Sequence, residues 1–137
     1  MLRNKLVVAF AAALGGLVAA PSFAHHAFEA EFDIKQPLKL TGTLTKVDWI
    51  NPHAYFYMDV SDTSGSVVHW ELENLPPSGL RRGGLERSMI AVGTKITIEG
   101  YRAKDGSKNL GWVNTIHLPD GRTILLIKKA EDAAATP

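Results

Sequence analysis

From Leu38 onward the apolar residues of this chain recur at every second position, the period of a β-strand with one buried face. Leu38, Leu40 and Leu44 share a face of a first strand, Leu38 to Trp49, and Val47 and Trp49 take the opposite phase. A change of phase close to Gly42 predicts a bend or bulge. Asn51-Pro52 marks a turn into a second strand, His53 to Val60. There Ala54, Phe56, Met58 and Val60 point one way, and His53, Tyr55, Tyr57 and Asp59 the other. A polar loop around Gly65 leads to a third strand, Val67 to Asn74, with Val68, Trp70 and Leu72 on one face and His69, Glu71 and Glu73 on the other. If Met58 faces Trp70 across this hairpin, His69 falls beside Asp59 and His53 lies towards Glu73.

Leu75-Pro76-Pro77 stops the sheet. Ser78 is the expected N-cap of a short helix or helical turns reaching roughly Ser88, with Gly83-Gly84 weakening it. A fourth strand spans Thr94 to Tyr101, a fifth Asn109 to His117, and a last one Thr123 to Ile127, separated by turns at Ala103 to Lys108 and Pro119 to Arg122. The expected fold is all-β. A small OB-like barrel of five to six strands, with one short helical insert between strands three and four, fits this order. A lipocalin-like or SH3-like barrel fits the strand count less well.

The segment before the strands has a different character. Arg3 and Lys5 precede an uncharged apolar run from Leu6 to Ala20, and Ser22-Phe23-Ala24 supplies small residues at the −3 and −1 positions of a cleavage site. The run is short for a membrane span of roughly 20 residues, and Pro21 interrupts it at once. Residues 1–24 therefore read as a signal peptide and the protein as periplasmic or secreted. Residues 25–37 are expected to form an extended arm, residues 38–127 the barrel, and the Ala-rich residues 128–137 a disordered tail.

Removing Arg3 and Lys5 from the 15 basic residues leaves 13 against 14 acidic ones, a net of −1. That balance gives no reason to expect nucleic acid as a partner, and signal cleavage would leave no membrane anchor. The chain has no cysteine, so neither a disulfide nor a lipid-modified cysteine is available. The expected partner is a small molecule or a metal ion; no feature points to a particular protein.

Cleavage after Ala24 would put His25-His26 at the new N-terminus. The α-amine and ring nitrogen of His25 can chelate one ion, and a second histidine would complete the nitrogen-rich, T-shaped set that suits Cu(II). His26 offers another mode, through the amine, an amide nitrogen and its own ring. The candidate third ligands are His53, His69 and His117, although strand spacing keeps His53 and His69 too far apart to share an ion. The plain alternative is a solvated start with two histidines. Copper is the one cofactor the residues suggest.

The outward face of strands two and three offers a second candidate site. Trp49, His53, Tyr55, Tyr57, His69 and Glu71 would line it, with the tyrosines as a stacking surface. Tyrosines are also ordinary strand residues, and His53 could simply satisfy the turn. Glu71 and Glu73 stand about 7 Å apart, not far above the spacing of paired catalytic carboxylates, but such pairs are common on solvated strands. Arg81, Arg82 and Arg87 would form a basic patch, with Glu86 and the strand-three glutamates as expected counter-charges. No phosphate loop, nucleophile elbow or zinc pattern is present. The residues give no catalytic assignment.

The chain is similar to a family of small exported bacterial proteins classed as a domain of unknown function. The matching stretches are His25-His26-Ala27-Phe28 with Glu31-Phe32-Asp33 behind it, Leu40-Thr41-Gly42-Thr43-Leu44, Val47 to Ala54 with its Trp49-Ile50-Asn51-Pro52-His53 turn, Trp70-Glu71-Leu72-Glu73, the Leu80-Arg81-Arg82-Gly83 step and Gly100 to Gly106. Family members usually carry a serine where Ala27 stands. The resemblance implies export and one small β-rich domain, and implies no activity.

Three readings of function follow. The first is a non-enzymatic ligand-binding module, and the second a copper-binding protein built on His25 with His26 and either His53 or His117. The third is an oxidative copper enzyme, which would need an open coordination position facing substrate.

Overall fold

A computed structural model describes residues 28–127. Residues 1–27, which include the expected signal segment, His25 and His26, and residues 128–137, where the disordered tail is expected, lie outside the described residues. A helical turn at residues 28–31 runs directly into β1 (Phe32–Asp48), followed by β2 (Tyr55–Ser61) and β3 (Val67–Glu73). A helix α1 (Pro77–Arg82) and a 3-10 turn (Arg87–Met89) separate these from β4 (Lys95–Ala103), β5 (Leu110–His117) and β6 (Thr123–Leu125). The sheet order is β3-β2-β1-β4-β5-β6, and β3 also pairs with β5. Five strands thus close a ring with the insert between β3 and β4, the plan of an OB-like barrel.

The closing pair is parallel and short, matching Glu71 with Leu110, Leu72 with Gly111 and Glu73 with Trp112. Every other pair is antiparallel. In the β2–β3 hairpin Met58 faces Trp70 and Asp59 faces His69, the register that the alternation predicts.

Inside the ring, Leu44, Phe56, Met58, Leu72, Ile98 and Ile116 are fully buried, and Leu80 and Leu85 of the insert join them. Each such side chain contributes about 1.5–3 kcal/mol by leaving water. The change of phase in β1 is a bulge between Leu44 and Lys46. Gly42 lies just before it because the strand passes close to β2: a Cβ there would sit 2.3 Å from the Asp59 carbonyl oxygen.

Two expectations need correction. First, β1 starts at Phe32 rather than Leu38, so half of the expected arm is sheet. A bulge between Asp33 and Pro37 absorbs the polar residues that hide this extension. Second, the helix is six residues long with Pro77 in its first turn, and its N-cap is Pro76 rather than Ser78. Proline at the first helical position gives up only an N–H that would have no helical partner, so no side-chain cap is needed to start the turn.

A smaller apolar cluster lies apart from the main core. Phe32, Ala103 and Trp112 form it, with Phe28, Leu75 and Tyr101 packed against them. Its position at the start of β1 and β5 anchors the first described residues. Lys104 N donates to the Glu31 carbonyl at 2.8 Å, and Lys104 Nζ donates to the Glu29 carbonyl.

Candidate functional site

The outer face of β2 and β3 is built from two cross-strand rows. Tyr55 pairs with Glu73, which pairs in turn with Trp112 across the parallel seam. Tyr57 pairs with Glu71, which pairs with Leu110. The first row ends in a sheltered corner and the second opens into a cleft.

In the corner, Glu73 is 7% exposed although it stands on the outward face. Trp112 pairs with it across the seam, and His53 Nδ1 contacts its Oε1. Burial pushes the Glu73 carboxyl above the ordinary glutamate range, the nearby His53 opposes this, and the charges of Glu31 and Glu71 add to the upward push. Burial, followed by the charges of Glu73, Glu71 and Glu31, also raises the Tyr55 phenol. The His53 ring meets Trp112 edge-on, with centroids 5.8 Å apart and planes at 89°. On the same indole packs Phe28, 5.2 Å away, also in an edge arrangement. Trp112 Nε1 is a buried donor with no hydrogen-bond partner among the described residues.

The cleft has a volume of about 590 Å³. Lys46, Tyr57, His69, Glu71 and Lys108 bring charge and hydrogen-bonding capacity to its walls. Lys46 Nζ reaches Asp48 at 2.6 Å and lies 4.9 Å from the Tyr57 ring centre, so one face of that phenol already carries a cation. Burial, with Glu71 next, raises the Tyr57 phenol, which therefore stays a neutral donor at physiological pH. His69 Nδ1 bonds Asp59 Oδ1 at 2.5 Å and its side chain is 82% exposed.

Of the residues read from the sequence, the face brings together Tyr55, Tyr57, Glu71, His69 and, at its far end, His53. Trp49 stands elsewhere. It packs on Phe56 at 6.4 Å while Arg87 covers its ring at 5.2 Å, closing one end of the barrel. His117 is also remote, five residues along β5 from Trp112, or about 17 Å. Both of its ring nitrogens are engaged, by Thr123 Oγ1 at 3.0 Å and Glu99 Oε1 at 3.2 Å. The expected counter-charges of the basic patch do not appear: among the described residues Arg81, Arg82 and Arg87 form no salt bridge. These arginines extend into water or, for Arg87, lie over Trp49. Glu73 and Trp112 are what sequence reasoning missed. Glu73 looks solvated by alternation, but it lies at the seam with His53 against it and is buried.

Among the described residues no group of three or more His, Asp and Glu side chains could hold a metal ion. His53 and Glu73 supply only a pair of such side chains, and His25 and His26 lie outside the described residues.

The family described as a family of unknown function (DUF6152) matches residues 15–112. The chain belongs to it. The matched stretch includes the outer face of β2 and β3, His53, Glu73 and the seam as far as Trp112. No curated protein matches the chain.

Proposed function

We propose that this protein is an exported, non-enzymatic binding module whose ligand meets the outer face of β2 and β3. The observation that carries the reading is the cleft beside the β3–β5 seam, where Tyr57, Glu71, His69, Lys46 and Lys108 converge. Two ammonium groups, a carboxylate, an imidazole and a phenol suit a small polar molecule bearing both signs of charge. Nuclear magnetic resonance with a panel of amino acids, dipeptides and small carboxylates tests it. Shifts confined to Tyr57, His69 and Glu71, lost in Tyr57→Ala, are the expected result; uniform or absent shifts reject it. Export is tested separately, by mass spectrometry of the periplasmic fraction, where a chain starting at His25 is expected.

A second reading, Cu(II) binding through the mature N-terminal amine and His25, is favoured by a different observation. Phe28, three residues after His25, is packed on the same indole as His53. Copper titration of the processed chain, followed by electron paramagnetic resonance, tests this reading. Tight one-to-one binding that His25→Ala abolishes is expected.

A further inference from the structure

We propose that the cleft beside β3 takes the C-terminal end of an extended peptide, which adds to the free edge of β3 as a parallel strand and leaves its carboxylate at Lys108. The inference rests on the binding-module reading above and names the class of ligand.

The backbone supplies the first argument. β3 pairs with β5 only from Glu71 to Glu73, so Val67 to Trp70 have β2 on one side and, among the described residues, no strand on the other. Glu71 N donates to the Asn109 carbonyl at 2.9 Å, so its N–H points away from β2. In an antiparallel ladder, backbone groups two residues apart point the same way. The N–H and C=O of His69 and Val67 therefore face the open side, where no backbone group of the described residues meets them. Such a row of unpaired groups is a template for one more strand, and main-chain bonds of this kind are a common way to hold a peptide.

The cleft lies along this same edge. His69, Trp70 and Glu71 line it from the β3 side, and Lys108, Asn109 and Leu110 from the other. The free part of β3 is four residues long, about 13 Å, which limits the added strand to about four residues. Asn109, left-handed at φ 62°, is where the chain leaves the β4–β5 turn and takes over the edge, so an added strand must end there.

Charge decides which end that is. Lys108 stands in the turn itself, and the Arg102 guanidinium lies 5.2 Å from the Trp70 ring centre. Neither forms a salt bridge among the described residues. Glu71 is the carboxylate left to oppose them, since Asp48 and Asp59 are engaged by Lys46 and His69. The excess of positive charge suits a carboxylate better than an ammonium group. A strand whose carboxylate stops at Asn109 runs parallel to β3, in line with β5.

The test uses an acetylated valine–threonine–valine–threonine peptide with a free C-terminus, added to isotope-labelled protein and followed by nuclear magnetic resonance. Amide exchange at Val67 and His69 should slow by about tenfold or more on binding. Converting the peptide carboxylate to an amide, or Lys108→Gln in the protein, should each weaken binding by about tenfold or more, the scale of one charge-assisted hydrogen bond. Methylating one alternating pair of peptide nitrogens should abolish binding, whereas methylating the other pair should not. Circular dichroism confirms that the Lys108 variant is folded. Equal affinity of acid and amide, or of both methylated peptides and their parent, overturns the inference. Shifts at Tyr57, His69 and Glu71 with free amino acids or small carboxylates, without slowed exchange at Val67 and His69 when the peptide is added, also overturn it and leave the binding-module reading standing. No shift with any of these probes rejects both.

Discussion

The carboxyl group of Glu73 and the imidazole of His53 are in contact beside Trp112, whose indole meets the His53 ring edge-on, and the glutamate is only 7% exposed. The partners are not equally sheltered: the His53 side chain is 37% exposed and that of Glu73 10%. Removing His53 therefore strands a buried carboxylate, whereas removing the carboxylate frees a histidine that can still reach water. His53→Ala is expected to cost about 1–3 kcal/mol, and Glu73→Gln about 1 kcal/mol. The double variant should cost less than the two together, because the glutamine needs no counter-charge. Urea unfolding of the four proteins measures this coupling, and strict additivity would deny it.

Gly100 faces the backbone of β5 so closely that a Cβ would lie 1.7 Å from the Trp112 carbonyl oxygen. Backbone on both sides of the contact leaves no flexible side chain to yield. Gly100→Ala is expected to lose about 3 kcal/mol or more, through local separation of β4 from β5. Denaturant unfolding checks this, and a loss within about 0.5 kcal/mol would contradict it.

Acid sensitivity should be traceable to Glu99. Hydrogen bonds from Lys39 Nζ at 2.9 Å and from His117 Nε2 at 3.2 Å hold its carboxyl below the ordinary glutamate range. A carboxyl depressed in the folded state stabilises the fold above its unfolded pKa, and that gain fades as pH falls through the folded value. Glu99→Gln should therefore flatten the acid limb of a melting-temperature profile taken between about pH 7 and about pH 2. Asp62, Asp105 and Asp120 are lowered in the same direction by turn hydrogen bonds, so part of the limb should survive. An unchanged slope would contradict the assignment.

Phe28 stacks on Phe32 at 5.8 Å and meets Trp112 at 5.2 Å. Aromatic pairs of this kind contribute about 0.5–1.5 kcal/mol each beyond simple burial. Phe28→Ala should leave the barrel folded but expose the indole of Trp112, visible as a red-shifted component of tryptophan emission. Trp112→Phe provides the reference spectrum. If the emission of the alanine variant matched that of the unaltered protein, Phe28 would not be covering the indole.

Much of this architecture is written in local pattern. Alternation along Ala54, Phe56, Met58, Trp70 and Leu72 gives both the strands and the register of the β2–β3 hairpin, hence the Asp59–His69 and His53–Glu73 neighbours. Glycine beside a change of phase points to the bulge in β1. What escapes the eye depends on contacts between distant parts of the chain. Lys35, Gln36 and Pro37 mask the first turn of β1, because the bulge there breaks the two-residue period. The place of Glu73 is set by Trp112 on another strand, and no periodicity within Val67 to Asn74 could distinguish it from solvated Glu71. Likewise, nothing local says that Trp49 would pack on Phe56 and receive Arg87, away from the tyrosines.

The parallel seam has a consequence for how this barrel is held closed. It joins β3 to β5 through three residue pairs, after a helix, a 3-10 turn and the whole of β4 have intervened. Its partners stand 39 residues apart in sequence (110 − 71), so closing it costs more chain entropy than forming the β2–β3 hairpin. Glu73 meets Trp112 only through that closure, so the corner beside the indole does not exist in an open barrel. A ligand held there would favour the closed barrel over any form in which β3 and β5 have parted.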